Sequence, residues 1–228
     1  MDKNLHIEKF FFNTAPIWQQ VPTEINERLL ATSISAKYKK NTTIVYDYEY
    51  AAGLYCIKKG FVKIYSINAL GGEDIVFILG KGLVFGVSPL LNNEKCGVNA
   101  TAMEDCEIEI IPKEIIKLEL EKSIELNQAF IFYLSQLVKM LNIKLLDFMR
   151  KPLAERVALT LLILDKKLSL NGTLVFSRED LANFMGTAIE SLVRQLKKLK
   201  TENLISVKGR KITIIDYVGL TKIASETP

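Results

Sequence analysis

Glu190, Ser191, Arg194, Lys197 and Lys198 share one face of a helix-forming segment. A duplex-reading element needs this combination: a few side chains that reach base edges, with cations beside them for phosphate. The elements that position them lie within Ser177–Gly209. Ser177 is suited to cap a first helix, with the carboxylate of Asp180 three residues on. Leu181, Ala182 and Met185 would form its buried face. Gly186 interrupts the pattern where a helix-turn-helix needs a left-handed or tightly turned residue. A second helix then runs from about Ala188 to Lys200, with Leu192, Leu196 and Leu199 at inward spacing. Six cations (Lys197, Lys198, Lys200, Lys208, Arg210, Lys211) face one acid, Glu202, between Lys197 and Lys211. An ordinary amphipathic helix pair would share the same apolar spacing.

The chain that carries this stretch has 228 residues, 49% of them hydrophobic, and a formal net charge of +4. That composition describes a globular protein of one or two domains, and the charge permits a polyanionic partner without demanding one. Cys56, Cys96 and Cys106 are odd in number and lack metal-ligand spacing, and His6 is the single histidine. No zinc site is expected, and the cysteines read as buried free thiols. No acid/base pair, nucleophile–histidine set or phosphate loop appears, so an enzyme is not expected. The start MDKNLHIEKF mixes charges, and no apolar run approaches the roughly 20 residues of a membrane helix. A cytoplasmic protein is expected.

Residues 1–31 read as amphipathic helix, with a start at Pro22-Thr23-Glu24 and Ile25, Leu29 and Leu30 facing inward. Trp18 and Phe10–Phe12 are expected to pack this segment down. From about Ile34 to Ile111 the texture is β. Strands are predicted over Thr42–Tyr46, Leu54–Lys59, Phe61–Asn68, Asp74–Leu79, Val98–Thr101 and Glu107–Ile111, with Gly71-Gly72 as a hairpin turn. Pro112 opens a short helix, and Ser123 caps a long one running to about Arg150. Leu126, Phe130, Tyr133, Leu137, Met140 or Leu141, Lys144 and Phe148 form a three/four seam on it. Lys151-Pro152 ends that helix and Leu153–Lys167 forms the next. A short strand, Thr173–Phe176, precedes the helix pair, and a hairpin over Leu204–Val207 and Ile212–Ile215 follows it.

Roll, long helix, proline hinge and winged helix-turn-helix come in the order of the Crp/Fnr family of bacterial transcription regulators, which this chain resembles over nearly its whole length. SREDLANFMGTAIESLVRQLKKLKTENLIS carries the resemblance most specifically, with AERVALTLLIL, KKGFVKIYS and GKGLVFG in support. The resemblance implies an α+β fold: an N-terminal antiparallel β-roll of the double-stranded β-helix or jelly-roll type, a long dimerisation helix and a C-terminal winged helix-turn-helix. The corresponding domains are 1–122, 123–150 and 151–228. Glu190 and Arg194 match the base-reading glutamate and arginine, which suit cytosine N4 and guanine O6/N7. Ile189 departs from the arginine of the cAMP-receptor branch and suits a thymine methyl, so the half-site should be closer to the Fnr-like type. Ser177, Arg178, Thr187, Ser191, Lys197, Lys208 and Arg210 match backbone contacts. Leu126, Phe130, Tyr133, Leu137, Leu141 and Phe148 are expected at the dimer helix, with the opposite side facing the roll.

In cAMP-binding members a glutamate and an arginine of the phosphate cassette hold the ribose and the cyclic phosphate. Here Val87 and Cys96 stand in their places, beside Gly86, Ser88 and Lys95, with Asn142 near the purine-facing position of the long helix. Neither valine nor cysteine can neutralise a buried phosphate. The resemblance therefore implies control by a small molecule other than cAMP, or by none, and no cofactor. The N-terminal cysteine cluster of oxygen-sensing members is absent. The expected partners are double-stranded DNA at an inverted repeat, a second copy of the chain and RNA polymerase, and no membrane. The competing expectation is a ligand-sensing or interaction protein whose winged helix no longer reads DNA.

Overall fold

A computed structural model describes residues 17–168 and 170–225. His6 and Phe10–Phe12 lie outside the described residues. The chain divides into two compact units, one ending at Leu137 and the other running on from Val138. The division falls inside the long helix.

In the first unit a 3-10 turn (Ile17–Gln19) leads to α1 (Thr23–Ala31), which opens behind Pro22 as expected and buries Ile25 and Leu29. Eight strands follow: β1 (Ile34–Tyr38), β2 (Thr43–Val45), β3 (Gly53–Lys59), β4 (Val62–Ile67), β5 (Glu73–Leu79), β6 (Val84–Phe85), β7 (Asn99–Ala102) and β8 (Cys106–Pro112). The short helix α2 (Val87–Asn92) lies between β6 and β7. The strands form two antiparallel sheets, ordered β1-β8-β3-β6 and β2-β7-β4-β5. Gly71-Gly72 makes the β4–β5 hairpin, with Gly71 at φ +80°. β1 and β6 have no counterpart among the predicted strands. β1 is largely exposed, and β6 has only two residues, so neither offers a periodic apolar signal.

β3 is buried on both faces, which is unusual for an antiparallel sheet. Because side chains alternate along a strand, Tyr55 and Ile57 point between the sheets, where they meet Val62, Ile64, Phe85, Ala100 and Ile108. Leu54 and Cys56 point the other way, into a second core with Ile25, Leu29, Leu90, Ile111 and Ile116. The sheet is thus a wall between two apolar cores. Helices α1, α3 (Lys113–Lys122) and the first half of α4 (Ile124–Arg150) supply the second core from outside. Gly53 sits in close approach to β8: a Cβ there would overlap the carbonyl oxygen of Ile111.

Ser123 caps α4, its Oγ accepting the Leu126 N–H at 3.0 Å. Leu126 and Phe130, expected on the dimer seam, are instead fully buried in the second core, with Ala129 beside them. Tyr133 packs on the same core, and its hydroxyl donates to the Val84 carbonyl at 3.1 Å. Of the other expected seam residues, Leu137 is half-buried and Leu141 and Phe148 are exposed; among the apolar residues that α4 also leaves exposed, Ile124, Ile131, Val138 and Leu145 recur every seven residues. By length and composition alone this 27-residue helix is apolar enough to cross a membrane, contrary to the expectation that no segment would be. Two separate apolar faces, one buried on the roll and one exposed, produce that composition.

In the second unit α4 ends at Arg150 and α5 (Leu153–Leu168) begins after Lys151-Pro152. Then come β9 (Thr173–Val175), α6 (Arg178–Met185), α7 (Ile189–Thr201), β10 (Ile205–Lys208), β11 (Lys211–Ile214) and α8 (Tyr217–Ala224). β9 joins the predicted hairpin to make a three-stranded sheet, β10-β11-β9, with Leu174 opposite Ile212. A buried carboxylate ties the unit together. Asp165 accepts from the Gly172 N–H and, at 2.8 Å, from the Tyr217 hydroxyl.

Gly53→Ala should weaken the roll by about 2 kcal/mol or more, since the strands must part to admit the methyl group. The urea midpoint followed through Trp18, the single tryptophan, which packs on the second core, measures this.

Candidate nucleic-acid interface and effector region

α6 begins with a closed cap. The Asp180 N–H donates to Ser177 Oγ at 2.9 Å, and the hydroxyl in turn donates to the Asp180 carboxylate. Both roles of the Ser177 hydroxyl are therefore used inside the cap. Leu181, Ala182 and Met185 are buried as expected. The helix ends at Gly186, φ +55° and ψ +52°, where the Thr187 N–H reaches back to the Ala182 carbonyl at 3.0 Å. That left-handed stop is costly for any residue with a side chain.

α7 then opens behind Ala188 with no side-chain cap. Leu192, Leu196 and Leu199 anchor it, each at most 3% exposed. The opposite face is open, bearing Ile189, Glu190, Val193, Arg194, Lys197 and Lys198. Ser191 is half-buried and accepts from Arg194 Nη2 at 3.2 Å, so this hydroxyl orients the arginine. Sequence reasoning passed over Val193. It lies one turn beyond Ile189, and the two form an exposed apolar strip beside the Glu190–Arg194 strip. Spacing of four from Ile189 was the available signal.

Arg178 was expected on the nucleic-acid backbone. In the structure its guanidinium donates to the wing carbonyls of Gly209, at 2.7 Å, and Arg210, at 3.5 Å. It ties the first helix to the wing tip, and burial lowers its pKa. Lys208 and Arg210 are exposed on the wing, and Thr187 is half-buried after the turn.

The expected effector residues of the roll are divided between its two cores and its surface. Gly86 is left-handed at φ +86° and starts α2, and Ser88 is exposed. Val87 is 5% exposed and belongs to the core outside the roll wall. Cys96 packs against the core between the sheets. Val87 and Cys96 therefore face different cores. Lys95 is exposed and bridges Tyr50 through the backbone. The loop is further held by Cys96 N–H to the Glu49 carbonyl, 2.9 Å, and Gly97 N–H to the Asp47 carbonyl, 2.8 Å. Inside the roll the Tyr55 and Phe85 rings stack at 4.8 Å. Asn142 is an exposed residue in the second unit. Burial pushes the thiols of Cys56 (up to about 12), Cys96 and Cys106 upward, which disfavours the thiolate.

A charged cluster marks the break between α4 and α5. Lys151 Nζ lies 3.4 Å from Glu155 and donates to the Ala224 carbonyl at 3.1 Å. Desolvation pushes the Asp147 carboxyl up to about 6, against the pull of Lys151 and with the push of Glu155. The folded state thus binds this proton more tightly than the unfolded chain. The contribution favours folding at acidic pH and is lost as pH rises through about 4 to 6. Asp147→Asn should raise the melting temperature at about pH 7.5, and the gain should vanish near pH 4, as thermal unfolding across pH will show.

Two family models match the chain: a cyclic nucleotide-binding domain over residues 35–123 and a Crp-like helix-turn-helix domain over 155–223. The anaerobic regulatory protein of Pasteurella multocida (strain Pm70) is 28% identical over 180 residues, covering 76% of this chain and 66% of that protein. The fumarate and nitrate reduction regulatory protein of Vibrio cholerae is 28% identical over 177 residues, covering 75% and 70%. The match thus spans about two thirds of each relative. The fold is shared with FixK2 from Bradyrhizobium japonicum, at TM-score 0.77 and 22% identity over 86% of this chain and 99% of that one. It is shared also with a transcriptional regulator of the CRP/FNR family from Thermus thermophilus, at TM-score 0.71 and 21% identity over 84% and 98%.

Proposed function

The chain belongs to the Crp/Fnr family of DNA-binding transcription regulators, and from that premise we propose that it reads an inverted-repeat operator as a homodimer. The observation that carries this reading is α7 itself. Its leucines are sunk in the core while Glu190 and Arg194 stand in the open, with Ser191 holding the arginine. Glutamate accepts from cytosine N4, and arginine clamps guanine O6 and N7. Ile189 and Val193 supply apolar contacts suited to thymine methyls, which favours a half-site of the Fnr-like type. Lys197, Lys208 and Arg210 are placed to meet phosphates.

The exposed stripe Ile124–Ile131–Val138–Leu145 is the surface we assign to the second copy. Its seven-residue repeat and β-branched residues suit two parallel strands. This replaces Leu126 and Phe130, which the roll already buries. Two such half-site readers must lie about one helical turn apart.

The roll's signal is a small molecule other than cAMP, or there is none. Val87 lies in an apolar core and Lys95 in solvent, so neither offers a cation to a buried phosphate. Action on transcription implies contact with RNA polymerase and residence in the cytoplasm.

Selection from random duplexes should return an inverted repeat. Glu190→Ala and Arg194→Ala should each lower affinity for it by about 1–3 kcal/mol while leaving random-duplex binding, with its steep salt dependence, in place. If the selection yields no preferred site under any condition, the proposal of sequence-specific reading is wrong. Ile131→Glu with Val138→Glu should give a monomer by sedimentation, and operator binding should be lost with it.

A further inference from the structure

The C-terminal end of α4 grips the helix-turn-helix at the residue that sets its angle. The Phe148 ring lies so close against Gly186 that a Cβ on the glycine would overlap it. The tip of the ring, its Cζ, is what meets the glycine, while the Arg156 guanidinium, from α5, lies over the ring at 4.3 Å from its centroid. Arg156 Nη1 also donates, at 3.1 Å, to the carbonyl of Met185, the last residue of α6. Its Nε is buried without a hydrogen-bond partner among the described residues. One turn earlier, Lys144 Nζ lies 4.1 Å from the Phe184 ring centroid. Three helices therefore converge on the Met185–Gly186 turn through one aromatic ring and one guanidinium.

We propose that Phe148 and Arg156 are positioning residues for DNA reading: they fix the angle of the helix-turn-helix relative to the end of α4, and so the rotational setting of α7. The proposal rests on the operator-reading function above and goes beyond it, because neither residue is placed to touch DNA. The packing explains the choice of residues. A guanidinium stacks on an aromatic face while its edge still donates to a carbonyl, which an ammonium cannot do in the same geometry. Glycine at 186 serves twice, giving the left-handed turn and the space for the ring. Phe148, expected on the dimer seam, is accounted for by this contact.

The consequence is geometric. In a dimer, two readers held at a fixed angle accept one spacing of half-sites. A change of one base pair in the spacer turns one half-site by about 35° relative to the other. If the clamp is loosened, each reader can follow its half-site, and the spacing preference broadens. Loss of stability alone lowers the active fraction without altering that preference.

The test uses the full-length dimer with its selected operator and with versions whose spacer is one base pair longer or shorter. Wild type should bind the altered spacers about tenfold or more weakly. Phe148→Ala and Arg156→Gln should shrink that penalty to within about twofold, with random-duplex binding at low salt changed by less than about twofold. Phe148→Tyr, which keeps the ring, should retain the wild-type penalty. Phe148→Leu keeps apolar volume without the stacked face, and carries the measurement if the alanine variant does not fold. Variants that keep the full spacing penalty, or that lose operator and random-duplex binding in equal proportion, overturn the clamp. A wild type with no preferred duplex overturns instead the operator-reading function beneath it.

Discussion

The turn at Gly186 governs the reading head because two requirements meet in its one missing side chain. The backbone must enter the left-handed region for α6 to stop and α7 to leave in a new direction. The space beside the α-carbon must also admit the Phe148 ring. With the turn set, the leucines of α7 fall into the core and its charged face is turned outward. The wing is fixed separately, by Arg178 reaching the Gly209 and Arg210 carbonyls, and β9 joins the wing hairpin in one sheet. Reading helix and wing are thereby both referred to α6.

The first unit depends on a different constraint, a sheet that divides two cores. β3 and β8 carry alternating side chains into both, so Tyr55, Ile57 and Ile108 lie between the sheets, joined by Phe85 of β6, while Leu54, Cys56 and Ile111 serve the helical side, joined by Val87 of α2. Val87 is therefore a packing residue on the far side of the wall from Cys96. The bonds from the 95–97 loop to Asp47 and Glu49 close the neighbouring edge through backbone alone.

Much of this could be read in advance where the signal was local. The helix pair, the Ser177 cap, the left-handed Gly186 and the three leucines of α7 follow from periodicity and side-chain chemistry within some thirty residues. Most roll strands announced themselves by β-branched runs between turn residues. β1 did not, because ISAKY is an exposed edge with little apolar content. The long helix was legible as a helix but its faces were not. When two sides of a helix are apolar, a three/four spacing can be drawn along either, and Leu126 and Phe130 fit the dimer seam as well as they fit the roll. Arg178 and Ser177 show a similar limit: a cation or hydroxyl near a reading helix suits phosphate until a carbonyl or a helix end claims it.

By itself, then, the sequence determined the kind of elements, their order and the residues available for reading DNA, since these depend on neighbours three or four positions away. Tertiary structure decided which apolar face of α4 is covered, which polar groups already have partners, and what lies against Gly186. Those outcomes come from residues far apart in the chain, such as Tyr133 with Val84, Asp165 with Tyr217, and Phe148 with Arg156 and Gly186. No local pattern encodes such pairs, because each partner alone is compatible with many surroundings. Only the packed fold selects one.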